Sequence, residues 1–149
     1  MLWNTLEKYR DAGLLIARLG LGIGFFYYHG YGKLVGGPER WAALGGNMEL
    51  VGIALWPVFW GFMITMAETL VATMIAVGFL FRPACLILAF GMFVAWLSHV
   101  TSGQGNPGNA FKNFFFLIGL ILIGPGKYSV DAWLERRGRN AGETLNAKR

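Results

Sequence analysis

Four apolar segments dominate the hydrophobic pattern of the chain, and each ends at polar residues, glycine or proline. They cover residues 12–28, 57–81, 83–99 and 114–124. The last becomes helix-sized if its helix begins at Pro107, with Asn106 as the N-cap. A helix needs about 17–25 residues to cross a bilayer, and all four segments then approach or reach that length. Because lipid offers no hydrogen-bond partners for the backbone of an open strand, the pattern predicts four membrane helices.

Two shorter helices are predicted outside these segments. In the connection 29–56, Pro38 suits a helix start and Gly45 a helix end, and Trp41 would let this helix lie on the membrane surface. Near the C-terminus, Ser129 is a candidate N-cap of another short helix. The expected fold is all-α: an integral membrane four-helix bundle with an interfacial helix in its first outer loop. Residues 1–134 form the membrane domain, and residues 135–149 form a basic cytoplasmic tail.

The glycines of the first segment predict where helices approach closely. Gly20 and Gly24 are four residues apart within an apolar run, a spacing typical of close helix packing in membranes. The run is not a dinucleotide-binding motif, because no strand precedes it. We therefore expect a neighbouring helix to contact these two glycines.

Composition supports a membrane protein. Of the 149 residues, 55% are hydrophobic and 14% are charged, whereas soluble domains carry about a quarter charged residues. The net charge of +5 comes largely from a C-terminal basic stretch outside the apolar segments, which argues against a nucleic-acid surface. Cys85 is the single cysteine, so no intramolecular disulfide can form.

The distribution of Lys and Arg predicts the orientation. One side of the predicted bundle would carry Lys8, Arg10, Arg82, Lys127, Arg136, Arg137, Arg139, Lys148 and Arg149. The other side would carry only Lys33, Arg40 and Lys112. The positive-inside rule then places both termini in the cytoplasm, as in a multi-pass protein of a bacterial-type plasma (inner) membrane.

Polar residues within or near the apolar segments are the candidate functional residues. Arg18 and His29 lie about 20° apart around one helix, and Glu68 lies in the middle of the second segment. Helical rise places His29, Glu68, His99, Lys112 and Asn113 in the outer half of the predicted bundle. Since an ionisable residue in a membrane turns inward and finds a partner, we expect one polar cluster around Glu68, paired with Arg18 or a histidine.

Other interpretations of these residues stay open. An Arg18–Glu68 pair would also serve as a purely structural clamp between helices. The two histidines would also suit the wet membrane interface. A metal site is not predicted, because the histidines and Glu68 come from three helices without tight spacing.

The chain resembles the DoxX family of small four-helix membrane proteins. The resemblance rests on "IARLGLGIGFFYYHGYGKL" with Arg18, His29 and Lys33, on "MAETLVA" with Glu68, and on "VGFLFRPA" and "GPGKYSVD". It implies quinone-linked redox work, since members are described as subunits of a thiosulfate-to-quinone oxidoreductase. The sequence has no haem ligand pair, flavin motif or cysteine pair, so a cofactor or partner protein would supply the redox chemistry.

These observations lead to one expected function and two alternatives. The chain is expected to be an inner-membrane subunit of a quinone-linked redox system that binds a quinone or a similar small ligand in a polar cluster around Glu68. Its expected partners are the lipid bilayer and a redox protein, and the cofactor stays open, with quinone as the candidate. The ligand-binding residues would be Arg18, His29, Lys33, Glu68, His99, Lys112 and Asn113. The alternatives are a structural or assembly protein without a ligand and a small-molecule transporter. Whether the chain is an enzyme, and whether it forms a homo-oligomer, stays open.

Overall fold

The computed structural model describes residues 6–146, and every regular element in that range is helical. Helix α1 consists of Arg10–Gly24, a π-helical turn at Phe25–Gly30 and a last turn at Tyr31–Leu34. The other helices are α2 (Gly37–Gly45), α3 (Pro57–Val77), α4 (Phe81–Ser102), α5 (Pro107–Ile123) and α6 (Val130–Asn146). A 3₁₀ turn at Gly46–Val51 follows α2, and α3 contains a π-helical turn at Ala67–Val71. The all-α prediction is confirmed for this part of the chain.

Most helix ends follow the predicted signals. Helix α5 begins at Pro107, and the Asn106 side chain accepts a hydrogen bond from the Asn109 N–H at 3.0 Å. Helix α2 begins with Pro38 in its first turn and ends at Gly45. Ser129 caps α6 as predicted, because its Oγ accepts from the Ala132 N–H at 3.1 Å. Helix α6 is longer than expected and takes in the described part of the predicted tail.

The second apolar segment ends earlier than its hydropathy indicated. Helix α3 stops at Val77 because Gly78 takes a left-handed conformation with φ of 72°. Leu80 is also left-handed, with φ of 44°, and α4 begins directly after it at Phe81. Pro83 therefore lies inside the first turn of α4, where a missing N–H removes no helical hydrogen bond.

Two of the described helices, α3 and α4, are long and apolar enough to cross a membrane. Helix α5 is also apolar but shorter, with 17 residues. Helix α4 packs against α5 and α3, and α1 packs against the second half of α3. These contacts enclose a core of buried side chains, which includes Phe25, Ile75, Phe81, Leu88, Met92, Leu117 and Leu120.

The predicted close contact at Gly20 and Gly24 is wrong. Among the described residues, no atom outside the local backbone of α1 lies within 4 Å of a Cβ position on either glycine. Gly22 makes the close approach instead, since a Cβ there would lie 2.5 Å from the Ala72 carbonyl oxygen of α3. Gly22 lies four residues after the buried Arg18 and three before the buried Phe25, so these three residues share the inward face of α1.

Polar contacts gather the helix ends into what we call the basic end, where α1 and α4 begin and α3 and α5 end. The Lys127 N–H donates to Asp11 Oδ1 at 3.0 Å, and Arg82 Nε donates to the Ile121 carbonyl at 3.0 Å. Asp131 accepts from the N–H groups of Leu80 and Phe81, each at 2.9 Å, and so caps α4. Helices α1, α3, α4 and α5 therefore alternate in direction along the chain. Lys33, α2 and the Gly103–Gly105 turn lie at the opposite end.

Candidate functional site

Two π-helical turns face each other where α1 packs against α3. One turn contains His29 and Gly30, and the other contains Glu68 and Thr69. Gly30 allows the two backbones to meet, because a Cβ there would lie 2.5 Å from Thr69 Cγ2 and 2.6 Å from the Glu68 carbonyl oxygen. π-helical turns are rare in proteins as a whole, and those that occur are often found at functional sites. The facing turns are therefore the first structural pointer to a site.

Lys33 and Glu68 form an ion pair beside these turns. Lys33 Nζ donates to Glu68 Oε1 at 2.6 Å and also to Oε2. The Glu68 side chain is 4% exposed and that of Lys33 is 19% exposed. One ammonium thus binds both oxygens of a buried carboxylate, and the pair remains accessible only from the lysine side.

Neighbouring residues fix both members of the pair. The Trp41 indole N–H on α2 donates to the Lys33 carbonyl at 2.9 Å and so ties down the last turn of α1. Trp41 also packs against Phe62 of α3, with ring centroids 5.1 Å apart. On α3 the hydroxyl of Thr69 donates to the Thr65 carbonyl four residues earlier, at 2.8 Å. This hydroxyl is engaged within α3, and Glu68 takes its hydrogen bonds from α1.

The expected pairing of Glu68 with Arg18 or a histidine is wrong. Arg18 is fully buried near the basic end, where its Nη2 donates to the Tyr128 carbonyl at 2.6 Å. Its guanidinium also lies over the Phe81 ring, 5.8 Å from the centroid. Arg18 lies fifteen residues before Lys33 on α1, about four helical turns away along the axis. The long lysine side chain reaches Glu68, and Arg18 satisfies a backbone carbonyl of the C-terminal segment.

The other predicted site residues do not join the Lys33–Glu68 pair. His29 is half-buried in the same π-helical turn as Gly30, and its ring lies 5.1 Å from that of Phe25. His99 lies against the turn before α5, since a Cβ on Gly105 would be 2.4 Å from its Nδ1. Lys112 is exposed and Asn113 half-buried on α5. The structure thus brings together only part of the cluster that the depth argument predicted, because similar depth does not imply a shared helix face.

Comparison with known protein families identifies the chain's relatives. A family model described as DoxX matches residues 13–101, which is more than half of the 149-residue chain. The chain belongs to the DoxX family. No curated protein and no solved structure gives a match.

The DoxX match covers most of the candidate site. It extends from the first turn of α1 almost to the end of α4, and it includes Arg18, His29, Lys33, Glu68 and His99. Lys112, Asn113 and the segment 124–131 lie beyond it. Both halves of the Lys33–Glu68 pair and both π-helical turns therefore fall within the DoxX range. The partner of Arg18, Tyr128, does not.

Several residues that shape this DoxX site could not be predicted from the sequence. Gly30 lies within a quoted motif, and its position before Lys33 in an aromatic run gives only a weak signal for close packing. The sequence predicts Trp41 on the membrane surface, and nothing in it indicates the hydrogen bond of Trp41 to Lys33. Asp131 lies in the first turn of α6 but caps α4, and nothing in the sequence indicates this contact between helices. A backbone acceptor such as the Tyr128 carbonyl cannot be predicted from the sequence, because every residue carries the same carbonyl group.

Two apolar grooves lie along the helices that carry the pair, and neither is lined by Lys33 or Glu68 itself. One lies between α3 and α4 beside Ala67, has a volume of about 190 Å³, and is lined by Met48, Met63, Phe90 and Val94 among others. The other lies between α1 and α3 and is lined by Gly22, Ile23, Phe26, Tyr27, Thr73 and Ala76. Trp96 packs with Phe93 and Phe111. Among residues 6–146, no three His, Cys, Asp or Glu side chains converge as metal ligands.

Proposed function

We propose that this DoxX-family chain is a membrane-embedded subunit of a redox system that binds the head of a quinone at the Lys33–Glu68 pair. The proposal includes insertion as a four-helix bundle, with both termini on the cytoplasmic side of a bacterial-type inner membrane. Family membership and the apolar helices α3 and α4 support insertion. The charge asymmetry between the basic end and the opposite end supports the orientation.

The observation that carries the binding proposal is an ion pair buried on one side and accessible on the other. The Glu68 side chain is nearly inaccessible, whereas the Lys33 side chain is partly exposed. A quinone presents carbonyl oxygens that accept hydrogen bonds, and its reduced form presents hydroxyls that donate them. Lys33 can donate to the first form, and Glu68 can accept from the second once the Lys33 ammonium moves off one of its oxygens. A donor and an acceptor in contact therefore match both forms of one ligand.

The surroundings suit the rest of such a molecule. Two grooves on the same helices, one beside Ala67 and one beside Phe26, are lined mainly by apolar side chains, which would suit the hydrocarbon part of a quinone. His29 lies one turn before Lys33, close enough along α1 to contact a ligand held there. Electrons would come from a partner protein, while the residues of this chain bind and orient the ligand and hold a proton at Glu68 or Lys33.

A quinone titration tests the proposal. Purified protein is titrated with a short-chain quinone analogue, and wild type is compared with Glu68→Gln and Lys33→Gln. We expect each substitution to weaken binding about tenfold, the effect of losing one hydrogen bond to a charged group. Glu49→Gln is the matched control, because Glu49 is exposed on the 3₁₀ turn at the same end. Equal affinity in wild type and both site variants would contradict the proposal.

A structural clamp is the second candidate function, and one observation favours it. Both oxygens of Glu68 bind the same ammonium, so the buried charge is already paired without any ligand. If the site variants lose thermal stability while they keep their quinone affinity, the pair serves packing alone.

A further inference from the structure

Helix α6 carries an apolar face that the other described residues leave uncovered. Val130, Trp133, Leu134, Arg137 and Ala141 recur at the spacing of one face of a helix. Trp133 and Leu134 are each 46% exposed. An exposed tryptophan and leucine side by side on a helix indicate a surface that something else covers.

The face also carries one positive charge, held in a defined place. The Arg137 guanidinium lies over the Trp133 ring, 4.1 Å from its centroid. The neighbouring charges point elsewhere: Arg136 donates to the Lys127 carbonyl at 3.1 Å, and Asp131 caps α4. Arg139 lies about 160° around the helix from Arg137, on the opposite face. The apolar face thus presents a tryptophan with a single cation stacked on it and no described carboxylate beside it.

The first turn of α6 is fixed at the level where the apolar helices end. The Asp131 N–H donates to the Gly78 carbonyl at 3.0 Å, and its carboxylate binds the first backbone N–H groups of α4. Trp133 follows two residues later. If α3 and α4 span a membrane, this turn lies at the membrane boundary, which is where amphipathic tryptophan side chains are enriched.

We infer that α6 lies on the membrane surface and binds the headgroup of an anionic phospholipid through Trp133, Leu134 and Arg137. The ring and the leucine enter the boundary between headgroups and acyl chains, and the guanidinium donates to a phosphate. The inference rests on the membrane insertion proposed above and is independent of quinone binding.

Lipid binding to the whole protein in detergent tests the headgroup contact. Native mass spectrometry would measure the affinity for short-chain phosphatidylglycerol and for phosphatidylcholine. We expect Arg137→Gln to weaken phosphatidylglycerol binding about fivefold, because one cation near an anionic surface contributes that much. Arg139→Gln is the matched control and should change it less than about twofold. Glu68→Gln should leave it unchanged, which separates this site from the quinone site.

Two patterns would overturn the inference. Equal losses in Arg137→Gln and Arg139→Gln would mean unspecific charge attraction, and no loss in either would mean no headgroup site on this face. Trp133→Ala provides a second variant, with an expected loss of binding to both lipids.

The depth of α6 gives an independent measurement. A spin label at Ala141→Cys is compared with one at Glu143→Cys in nanodiscs that contain phosphatidylglycerol; Cys85 is fully buried, and the unsubstituted protein measures its background labelling. We expect the label at position 141 to lie among the headgroups and the label at 143 in water.

Equal aqueous exposure of both labels, or protection of position 141 that rises with protein concentration in detergent, would contradict the inference. The second outcome would mean that another copy of the chain covers the face. Failure of the wild-type protein to insert into neutral nanodiscs would instead refute the membrane proposal.

Discussion

Glu68 is the residue whose environment matters most for the proposed function. Its carboxylate is buried between α1 and α3, and the ammonium that neutralises it comes from Lys33 at the end of α1. A buried charge without a partner is strongly unfavourable, whereas a well-packed apolar pair of similar size often substitutes for an ion pair at little cost. Removing one member of the pair should therefore lower the free energy of unfolding more than removing both.

Lys33→Met alone should lower the free energy of unfolding by about 3 kcal/mol, because it leaves the Glu68 carboxylate buried without its cation. The double variant Lys33→Met with Glu68→Leu should recover most of that loss, because no buried charge remains. Reversible unfolding in mixed detergent micelles, followed by circular dichroism, measures both. If the loss of stability in the double variant equals the sum of the losses in Lys33→Met and Glu68→Leu, each measured alone, the two residues do not act as a unit.

At the scale of elements, the contact between α1 and α3 depends on glycine at two positions. Gly22 lies against Ala72, and Gly30 lies against the π-helical turn that holds Glu68. This close approach brings the Lys33 ammonium within reach of the carboxylate. The same contact therefore fixes the packing of the two helices and the geometry of the candidate site.

Gly30→Ala should destabilise the protein by about 1–3 kcal/mol, the usual effect of an added methyl group in a filled core. It should also weaken quinone binding, since α1 must shift away from Glu68. Gly24→Ala on the same helix is the control, because no described atom outside the local helix backbone lies within 4 Å of its Cβ position. Thermal unfolding and the quinone titration of both variants test this. Equal stability of the two variants would contradict the close packing at Gly30.

Much of the element pattern could be predicted from the sequence, because helix ends have local signals. Asn106 with Pro107, Pro38 with Gly45, and Ser129 each marked a boundary that the structure confirms. The side chains that pair with one another were harder to predict from the sequence than the helix ends. Hydropathy and helical rise placed Glu68 and the histidines at similar depth, but they do not give the rotation of one helix against another. That rotation decides that Glu68 meets Lys33, and that Gly22 rather than Gly20 or Gly24 touches α3.

At the scale of the whole molecule, the basic end joins the beginning of the chain to its C-terminal segment. Asp11 of α1 accepts from the Lys127 N–H, and its second carboxylate oxygen lies 3.5 Å from the Lys127 ammonium. Arg18 and Asp131 add contacts from the same segment to α1 and to the turn between α3 and α4. Segment 124–131 thus connects all four of the alternating helices.

The Asp11 contact makes stability depend on pH. The hydrogen bond from the Lys127 N–H, helped by the nearby ammonium, lowers the pKa of Asp11 below its ordinary value of 3.8. A lowered pKa in the folded state stabilises the protein above the unfolded pKa, and the contribution is lost as pH falls through the folded pKa. Wild type should therefore have a higher Tm than Asp11→Asn at pH 7, and the difference should shrink once the pH falls below about 3.8.

Scanning calorimetry of the two proteins from pH 7 to pH 3 measures this difference. Glu143→Gln on the exposed surface of α6 is the control and should show no such pH-dependent gap. A constant difference between wild type and Asp11→Asn over the whole range would mean that the Asp11 charge does not contribute.

The hydrogen bond between Arg18 and Tyr128 also bears on how the chain is made. A ribosome adds about 5–20 residues per second, and 110 positions separate these two residues. For several seconds after Arg18 is synthesised, the carbonyl that it binds does not yet exist. The first helix therefore leaves the ribosome before the carbonyl that its guanidinium binds in the folded protein has been made. Its final burial becomes possible only after the loop that follows α5 has emerged, so the last steps of synthesis complete the packing of the first helix.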